Sequence, residues 1–289
     1  LSSWAPTSQS RCPRGTPGDC LTTGLAGGHV DWSPWLEQPA TAGVLTDFDG
    51  TLSLVVDDRE KAVPLPGVYG IISALADRLA VVAVVSGRPL EYLESQLGRI
   101  PNVTLVGLYG LERIENGELL VMDAAVRWEE VVAAAARAAA REAPLGVEVE
   151  MKRLTLVLHS RRAPETLPWA RQWAEERAST SGLVAQPGRL SVELLPPVRA
   201  DKGSVVEELA TKLSSVCFFG DDVGDLSAFR ALRRLRLAGK TTIAVGVESP
   251  EQPDELVDAV DLVVGGPEAA VALLASLAEG TWPPACSYS

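Results

Sequence analysis

Three short apolar runs, each broken off by a polar or acidic residue, constrain the fold most. Val44 and Leu45 lead through Thr46 to Asp47; Val81–Val85 leads to Ser86, Gly87 and Arg88; VCFFG (216–220) leads to Asp221 and Asp222. These runs are short for helices and lack the alternation of half-exposed strands, so they read as strands buried on both faces. Helical patterns lie between them. PGVYGIISALADRL sets Val68, Ile71, Ile72, Leu75 and Leu79 on one face, and PLEYLESQL begins a helix at Pro89. NVTLVGL adds another strand. Strands alternating with helices predict an α/β fold, a parallel sheet covered on both sides.

The pattern changes at about residue 114. ENGELLVM reads as a turn and strand, WEEVVAAAARAAAREA as a helix ending before Pro144, and VEVEMKRLTLVLHSR as alternating strand or hairpin. A helix near 165–178 and the strand RLSVELLPP follow. Together they predict an α+β insertion lying over the first sheet. From about residue 200 the parallel pattern resumes with the helix SVVEELATKL, for which Ser204 and Glu207 form a capping box. DLSAFRALRRL and PEAAVALLASLAEG are helices; TTIAVGV and DLVVGG are strands. The expected division is an extension over 1–40, a core over 41–113 and 199–289, and a cap over 114–198. The extension, with SQSRCPRGTPGD, reads as a mobile tail whose Trp32 and Trp35 dock on the core.

In open parallel sheets ligands bind beyond the carboxyl ends of the strands. Asp47, Ser86 and Asp221 are therefore expected around one crevice, with Lys202 a fourth member. Aspartates gathered there repel one another and need a cation, and oxygen-only ligands suit Mg2+. The Asp47 carboxylate can attack phosphorus. Asp49, two residues on, can protonate a leaving sugar oxygen and later take a proton from water. Ser86, Lys202 and the backbone amides near Asp49 and Gly87 would hold the phosphoryl oxygens.

The net charge of −12 argues against nucleic acid or an anionic membrane as partner, while leaving room for a small anionic substrate in a locally positive pocket. Four cysteines, Cys12, Cys20, Cys217 and Cys286, form no C-x-x-C pair, and the chain has two histidines, which together argue against zinc. No apolar stretch reaches the roughly 18 to 20 residues that span a bilayer. No secretory leader pattern is visible. A reducing cytoplasm is the expectation.

DFDGTL, the serine of SGR, the lysine of DKG and GDDVGD resemble, in order, the four motifs of the haloacid dehalogenase superfamily. That resemblance implies a Rossmann-like core of haloacid dehalogenase type, and the insertion is similar to the α/β cap of its sugar phosphatases. The second aspartate of DFD resembles the phosphatase and mutase branches, where the ATPases have threonine. LTDFDGTLSLVVDD with Pro64, VVSGRPLEYL, GLYGLE at 107–112, the pattern Glu150, Lys152, His159, Arg161, then VELLPP and GDDVGDLSAF resemble the trehalose-6-phosphate phosphatase family over about residues 41–279.

The resemblance implies that Asp47, the backbone carbonyl of Asp49 and Asp221 ligate Mg2+. Asp222 and Asp225 would stand behind them or support Lys202. Gly87 and Arg88 would face the substrate. Glu112, Glu150, Lys152, His159, Arg161 and Glu193 would bind sugar hydroxyls through charge-assisted hydrogen bonds, and cap closure would exclude water. The implied reaction is hydrolysis of trehalose 6-phosphate through an aspartyl-phosphate, as the last step after a separate trehalose-6-phosphate synthase. Tyr109 stands where the family usually has histidine, Gly224 where it often has threonine, and Leu226 and Ser227 replace an acidic pair.

Each residue also has a plainer reading. Asp49-Gly50 makes a turn pair. Asp225 and Asp201 are N-cap candidates. Lys202 alone reads as a solvated lysine and Ser86 as an ordinary residue after a strand. His159 could be a core or surface histidine. Arg161 with Arg162 could be a solvated charge pair, and Glu150, Lys152 and Glu193 exposed cross-strand partners. Rival functions are a phosphatase for glucosylglycerol, mannosylglycerate or sucrose phosphate, a phosphomutase, and a non-catalytic sugar-phosphate-binding module.

Overall fold

The computed structural model describes residues 22–23, 29–56, 61–249 and 254–283. Most of the expected tail lies outside these residues, as do Cys12, Cys20 and Cys286. Two-residue strands β1 (Thr22–Thr23) and β2 (His29–Val30) pair antiparallel. Helix α1 (Ser33–Glu37) follows. Trp32 and Trp35 are fully buried and meet edge to face, and the Trp35 indole donates to the Gly43 carbonyl at 2.8 Å. Both tryptophans dock on the core, as expected.

The core continues with β3 (Ala42–Thr46), α2 (Val68–Arg78), β4 (Val81–Val85), α3 (Leu90–Leu97) and β5 (Val103–Gly107). A hairpin, β6 (Glu112–Glu115) and β7 (Glu118–Val121), and a short helix α4 (Asp123–Val126) lead to the cap. The cap comprises α5 (Glu129–Glu142), β8 (Glu148–Lys152), β9 (Thr155–His159), α6 (Leu167–Ser181), β10 (Val184–Pro187) and β11 (Ser191–Leu195). The chain then returns to the core with α7 (Lys202–Leu209), β12 (Ser215–Gly220), α8 (Leu226–Leu237), β13 (Thr241–Val247), α9 (Asp254–Val257), β14 (Leu262–Val264) and α10 (Pro267–Glu279).

The core sheet has eight strands in the order β14-β13-β12-β3-β4-β5-β6-β7. The six from β14 to β5 are parallel, and β6 and β7 add antiparallel. Successive residues of one strand feed opposite faces. Val44, Cys217 and Phe219 join α2, α3 and α10 on one side, while Leu45, Phe218 and Val106 join α7 and α8 on the other. Burial of both faces is why these strands read as unbroken apolar runs.

Two differences from the sequence reading stand out. The hairpin at 112–121 extends the core sheet, where the expected insertion began at 114. Its strand β6 buries Glu112 and Ile114 while Arg113 and Glu115 are half-exposed, an alternation that reveals a strand but not which sheet takes it. The helix α7 starts at Lys202, so its capping box is Asp201 with Ser204, not Ser204 with Glu207. The Asp201 carboxylate accepts from the Ser204 amide at 2.7 Å, and the Ser204 hydroxyl accepts from the Asp201 amide at 3.1 Å.

In the cap, β10-β11-β9-β8 form an antiparallel sheet. Val132, Ala135 and Ala139 of α5 and Ala170 and Trp173 of α6 cover one face of it, against Leu156, Leu158, Val192 and Leu194. The tip of the β8–β9 hairpin leaves the cap: Leu154 is fully buried among Leu108, Leu111 and Ala125.

Candidate active site

β3 and β12 are neighbours at the centre of the sheet, with the chain's crossovers running outward on either side of them. Such a switch point opens a crevice at the carboxyl ends. Asp47 follows β3, and its amide donates to the Phe219 carbonyl of β12 at 2.8 Å. Asp221 follows β12. Lys202, at the first turn of α7, is 3% exposed and reaches both Asp47 Oδ1, at 2.9 Å, and Asp225 Oδ1, at 2.7 Å. The other Asp225 oxygen accepts the amides of Asp221, at 3.0 Å, and Asp222, at 3.1 Å. Asp222 caps the short turn Val223–Asp225, its carboxylate taking the Gly224 amide at 2.8 Å. Glycine at 220 is required here, because a Cβ would meet the Asp225 carboxyl at 2.3 Å.

Carboxylate oxygens of Asp47, Asp221 and Asp225 lie within 4.8 Å of one another, all buried. Burial, then the charges of Asp47, Asp225 and Asp222, push the Asp221 carboxyl up to about 9. Burial pushes Asp225 up to about 6 against the pull of Lys202. Burial also raises Asp47, again against Lys202. Burial alone would lower Lys202, but Asp225 and Asp47 outweigh it and hold the ammonium charged. Lys202 thus pairs with two of the three buried carboxylates, and Asp221 Oδ1 is buried with no hydrogen-bond partner. An orphaned buried oxygen carries a real cost. A hard divalent cation with oxygen ligands fits both the excess charge and the unsatisfied atom. Asp225, whose two oxygens are already engaged, is placed to hold Lys202 and the turn at 221–222.

The loop after Asp47 is closed by Gly50, at φ +73°, where a Cβ would stand 2.2 Å from Asp221 Oδ2. Asp49 lies at the cleft, and Arg88 grips it with two bonds, Nε to Oδ2 at 2.8 Å and an Nη to Oδ1 at 2.7 Å. The Arg88 guanidinium also stacks 4.4 Å over the Tyr92 ring. The Ser86 hydroxyl accepts the Arg88 amide at 3.2 Å. Gly87 is covered by Tyr109, whose ring would lie 2.5 Å from a Cβ there. Leu108 and Tyr109 both sit in the left-handed region, at φ 49° and 59°. Their amides pin the turn by donating to Arg88 O at 2.9 Å and to Ser86 O at 3.0 Å.

The cap roofs a cleft of about 860 Å³. Lys152, His159, Arg161 and Glu193 line it, with Asp49, Arg88, Asp221 and Asp222 below. Lys152 bridges cap and core, donating to the Gly87 carbonyl at 3.2 Å and lying 3.7 Å from Glu193. Glu193 also accepts the Thr155 hydroxyl at 2.7 Å. His159 Nε2 pairs with Glu150 at 2.7 Å, and of the two His159 lines the cleft. Glu112 is also off the wall: its carboxylate takes the Leu90 amide at 2.6 Å. Sequence reasoning did not assign the cleft-lining residues Gln186, Arg189, Ser191 and Val223. The GR pair between two strands was the available signal for Arg189; Val223 carried none.

The model of the trehalose-phosphatase family matches residues 45–259. A trehalose-phosphate phosphatase of Mycobacterium avium (strain 104) is 34% identical over 221 residues, covering 73% of this chain and 53% of the relative. The chain spans about half the length of the curated relatives it matches. Among solved structures, a trehalose-6-phosphate phosphatase related protein superposes with a TM-score of 0.69 at 20% identity, covering 82% of this chain and 97% of that one. The C-terminal domain of the Candida albicans trehalose-6-phosphate phosphatase gives 0.68 at 22% identity, covering 85% and 94%. These structural likenesses speak to the fold.

Proposed function

Because this chain belongs to the trehalose-phosphatase family, we propose that it hydrolyses trehalose 6-phosphate to trehalose and phosphate. The observation that supports the reading is the buried Asp47 carboxylate, held 2.9 Å from the Lys202 ammonium and grouped with Asp221, which lines the cleft together with Asp49. In the first step an Asp47 oxygen bonds to phosphorus, the bond from phosphorus to the sugar oxygen breaks, and Asp49 gives that oxygen a proton. In the second, Asp49 takes a proton from water as the water oxygen attacks the aspartyl-phosphate, freeing phosphate and restoring Asp47. Lys202, Ser86 and the Gly87 amide hold phosphoryl oxygens, which is where most catalysis in this chemistry arises. Mg2+, held by Asp47, Asp221 and the Asp49 carbonyl, would neutralise phosphoryl charge.

The cap side chains Lys152, His159, Arg161 and Glu193 offer charged partners to sugar hydroxyls. The reaction would follow a separate synthase that makes the sugar phosphate, in the cytoplasm. The test is phosphate release, with and without Mg2+, over trehalose, sucrose, glucosylglycerol and mannosylglycerate phosphates, with Asp47→Asn as control. Mg2+-dependent turnover of trehalose 6-phosphate above the others, lost in the variant, is the expected result. Faster turnover of another sugar phosphate would move the substrate while keeping the chemistry, and no turnover at all would favour a binding module.

A further inference from the structure

The turn 86–90 carries Ser86, the Gly87 amide and Arg88, and besides the Lys152 bond to the Gly87 carbonyl its backbone is fixed at four points. Three are backbone bonds: Ser86 N to Val106 O at 2.9 Å, Leu108 N to Arg88 O at 2.9 Å, and Tyr109 N to Ser86 O at 3.0 Å. The fourth is the bond of Leu90 N to Glu112 Oε1 at 2.6 Å. Leu90 is the first residue of α3, and the preceding Pro89 makes no side-chain cap bond. A helix start leaves its first amides without intrahelical partners and favours a negative charge nearby. Glu112 meets both needs from a strand 22 residues away.

The approach is close. A Cβ at Gly107, the register partner of Glu112 across β5 and β6, would lie 2.7 Å from Leu90 N. Glu112 is 6% exposed. Burial raises its carboxyl, while the Leu90 amide and the Arg153 guanidinium of the cap pull it back. A carboxylate this enclosed, with an oxygen on a backbone amide, is poorly placed to meet a sugar in the cleft.

We infer that Glu112 is a positioning residue, acting through the Leu90 amide to hold the phosphate-binding turn 86–90, rather than a group that touches the sugar. This rests on the phosphatase reading of the site. It separates reach from charge: Glu112→Asp keeps the charge and withdraws the acceptor by one methylene, whereas Glu112→Gln keeps the acceptor and loses the charge.

The experiment measures kcat and KM for trehalose 6-phosphate, turnover of para-nitrophenyl phosphate, and the dissociation constant of inorganic phosphate, for wild type and both variants. Glu112→Asp is expected to lose on the order of 10- to 100-fold in kcat on both substrates, with weaker phosphate binding, as displaced supporting groups do. Glu112→Gln is expected to stay within about 3-fold, since the acceptor remains where the amide needs it. A rise in the sugar-phosphate KM, with para-nitrophenyl phosphate turnover and phosphate affinity as in wild type, would overturn the inference. So would a harmless Glu112→Asp. If wild type ignores trehalose 6-phosphate, the proposed substrate fails, yet the aryl phosphate and phosphate-binding measurements still decide the role of Glu112.

Discussion

Arg88 holds both carboxylate oxygens of Asp49, at 2.8 and 2.7 Å, in a two-pronged pair roofed by Tyr92. The pair fixes where the Asp49 side chain rests. On the proposed mechanism Asp49 would release one prong before that oxygen turned to the leaving group. Lysine cannot reproduce the fork. Arg88→Lys is therefore expected to lower kcat on the order of 10-fold or more, with thermal stability little changed. Steady-state kinetics beside a melting curve checks both halves.

Lys202 lies between two buried carboxylates. Removing one partner of a buried pair leaves an uncompensated charge, at a cost of roughly 3–5 kcal/mol. Lys202→Met should lose stability on that scale in urea unfolding. Adding Asp225→Asn to it should recover part of the loss, because the two sites share one contact.

The orphaned Asp221 oxygen gives a prediction for the cation. Ligand at about 100 times its dissociation constant stabilises by about 2.7 kcal/mol. Mg2+ should raise the melting temperature of the wild type, and chelation should reverse the shift. Asp221→Asn should lose most of the shift without lowering the metal-free melting temperature, since Asn is neutral where the buried Asp221 carboxyl, pushed up to about 9, has to take up a proton. A metal-free melting temperature that drops sharply in this variant would contradict the account.

Glu112 predicts a pH dependence. Burial holds its carboxyl above the ordinary glutamate value of 4.5. Over the window from that value up to the folded one, the folded protein keeps a proton that the unfolded chain has lost. The unfolded state then binds fewer protons, so stability falls as pH rises. Urea midpoints should show wild type losing stability relative to Glu112→Gln as pH rises above the ordinary value of 4.5.

The core fold was legible because its strands are buried on both faces and end in polar residues: Val44 to Asp47, Val85 to Ser86, Gly220 to Asp221. Asp47 and Asp221 lie together, with Lys202 on Asp47, and Ser86 follows the strand next to β3. What was not legible depends on partners outside the local pattern. Glu112 looks like any strand glutamate until the start of α3 is seen beside it. Glu150 and His159 alternate as cleft residues should, yet they pair with each other and only His159 of the two lines the cleft. Asp201 capped a helix whose start looked three residues later, since Lys202 and Gly203 are not residues that announce a first turn. Tyr109 and Arg189 reach the cleft through turns, where periodicity says nothing about direction.

Leu154 carries the last consequence. The tip of the β8–β9 hairpin is embedded in the core, whereas the β10–β11 turn lies at the opposite end of the cap sheet, where Ser191 pairs with His159. A strand of about five residues separates the two ends by roughly 16 Å. The cap sheet is thus anchored in the core at its Leu154 end. Lys152, beside the turn at 86–90, lies at that anchored end, and Arg189 lines the cleft at the other. On the proposed function the phosphoryl group would lie at the anchored end and the far sugar beside Gln186 to Ser191, which would set the size of what the cleft admits.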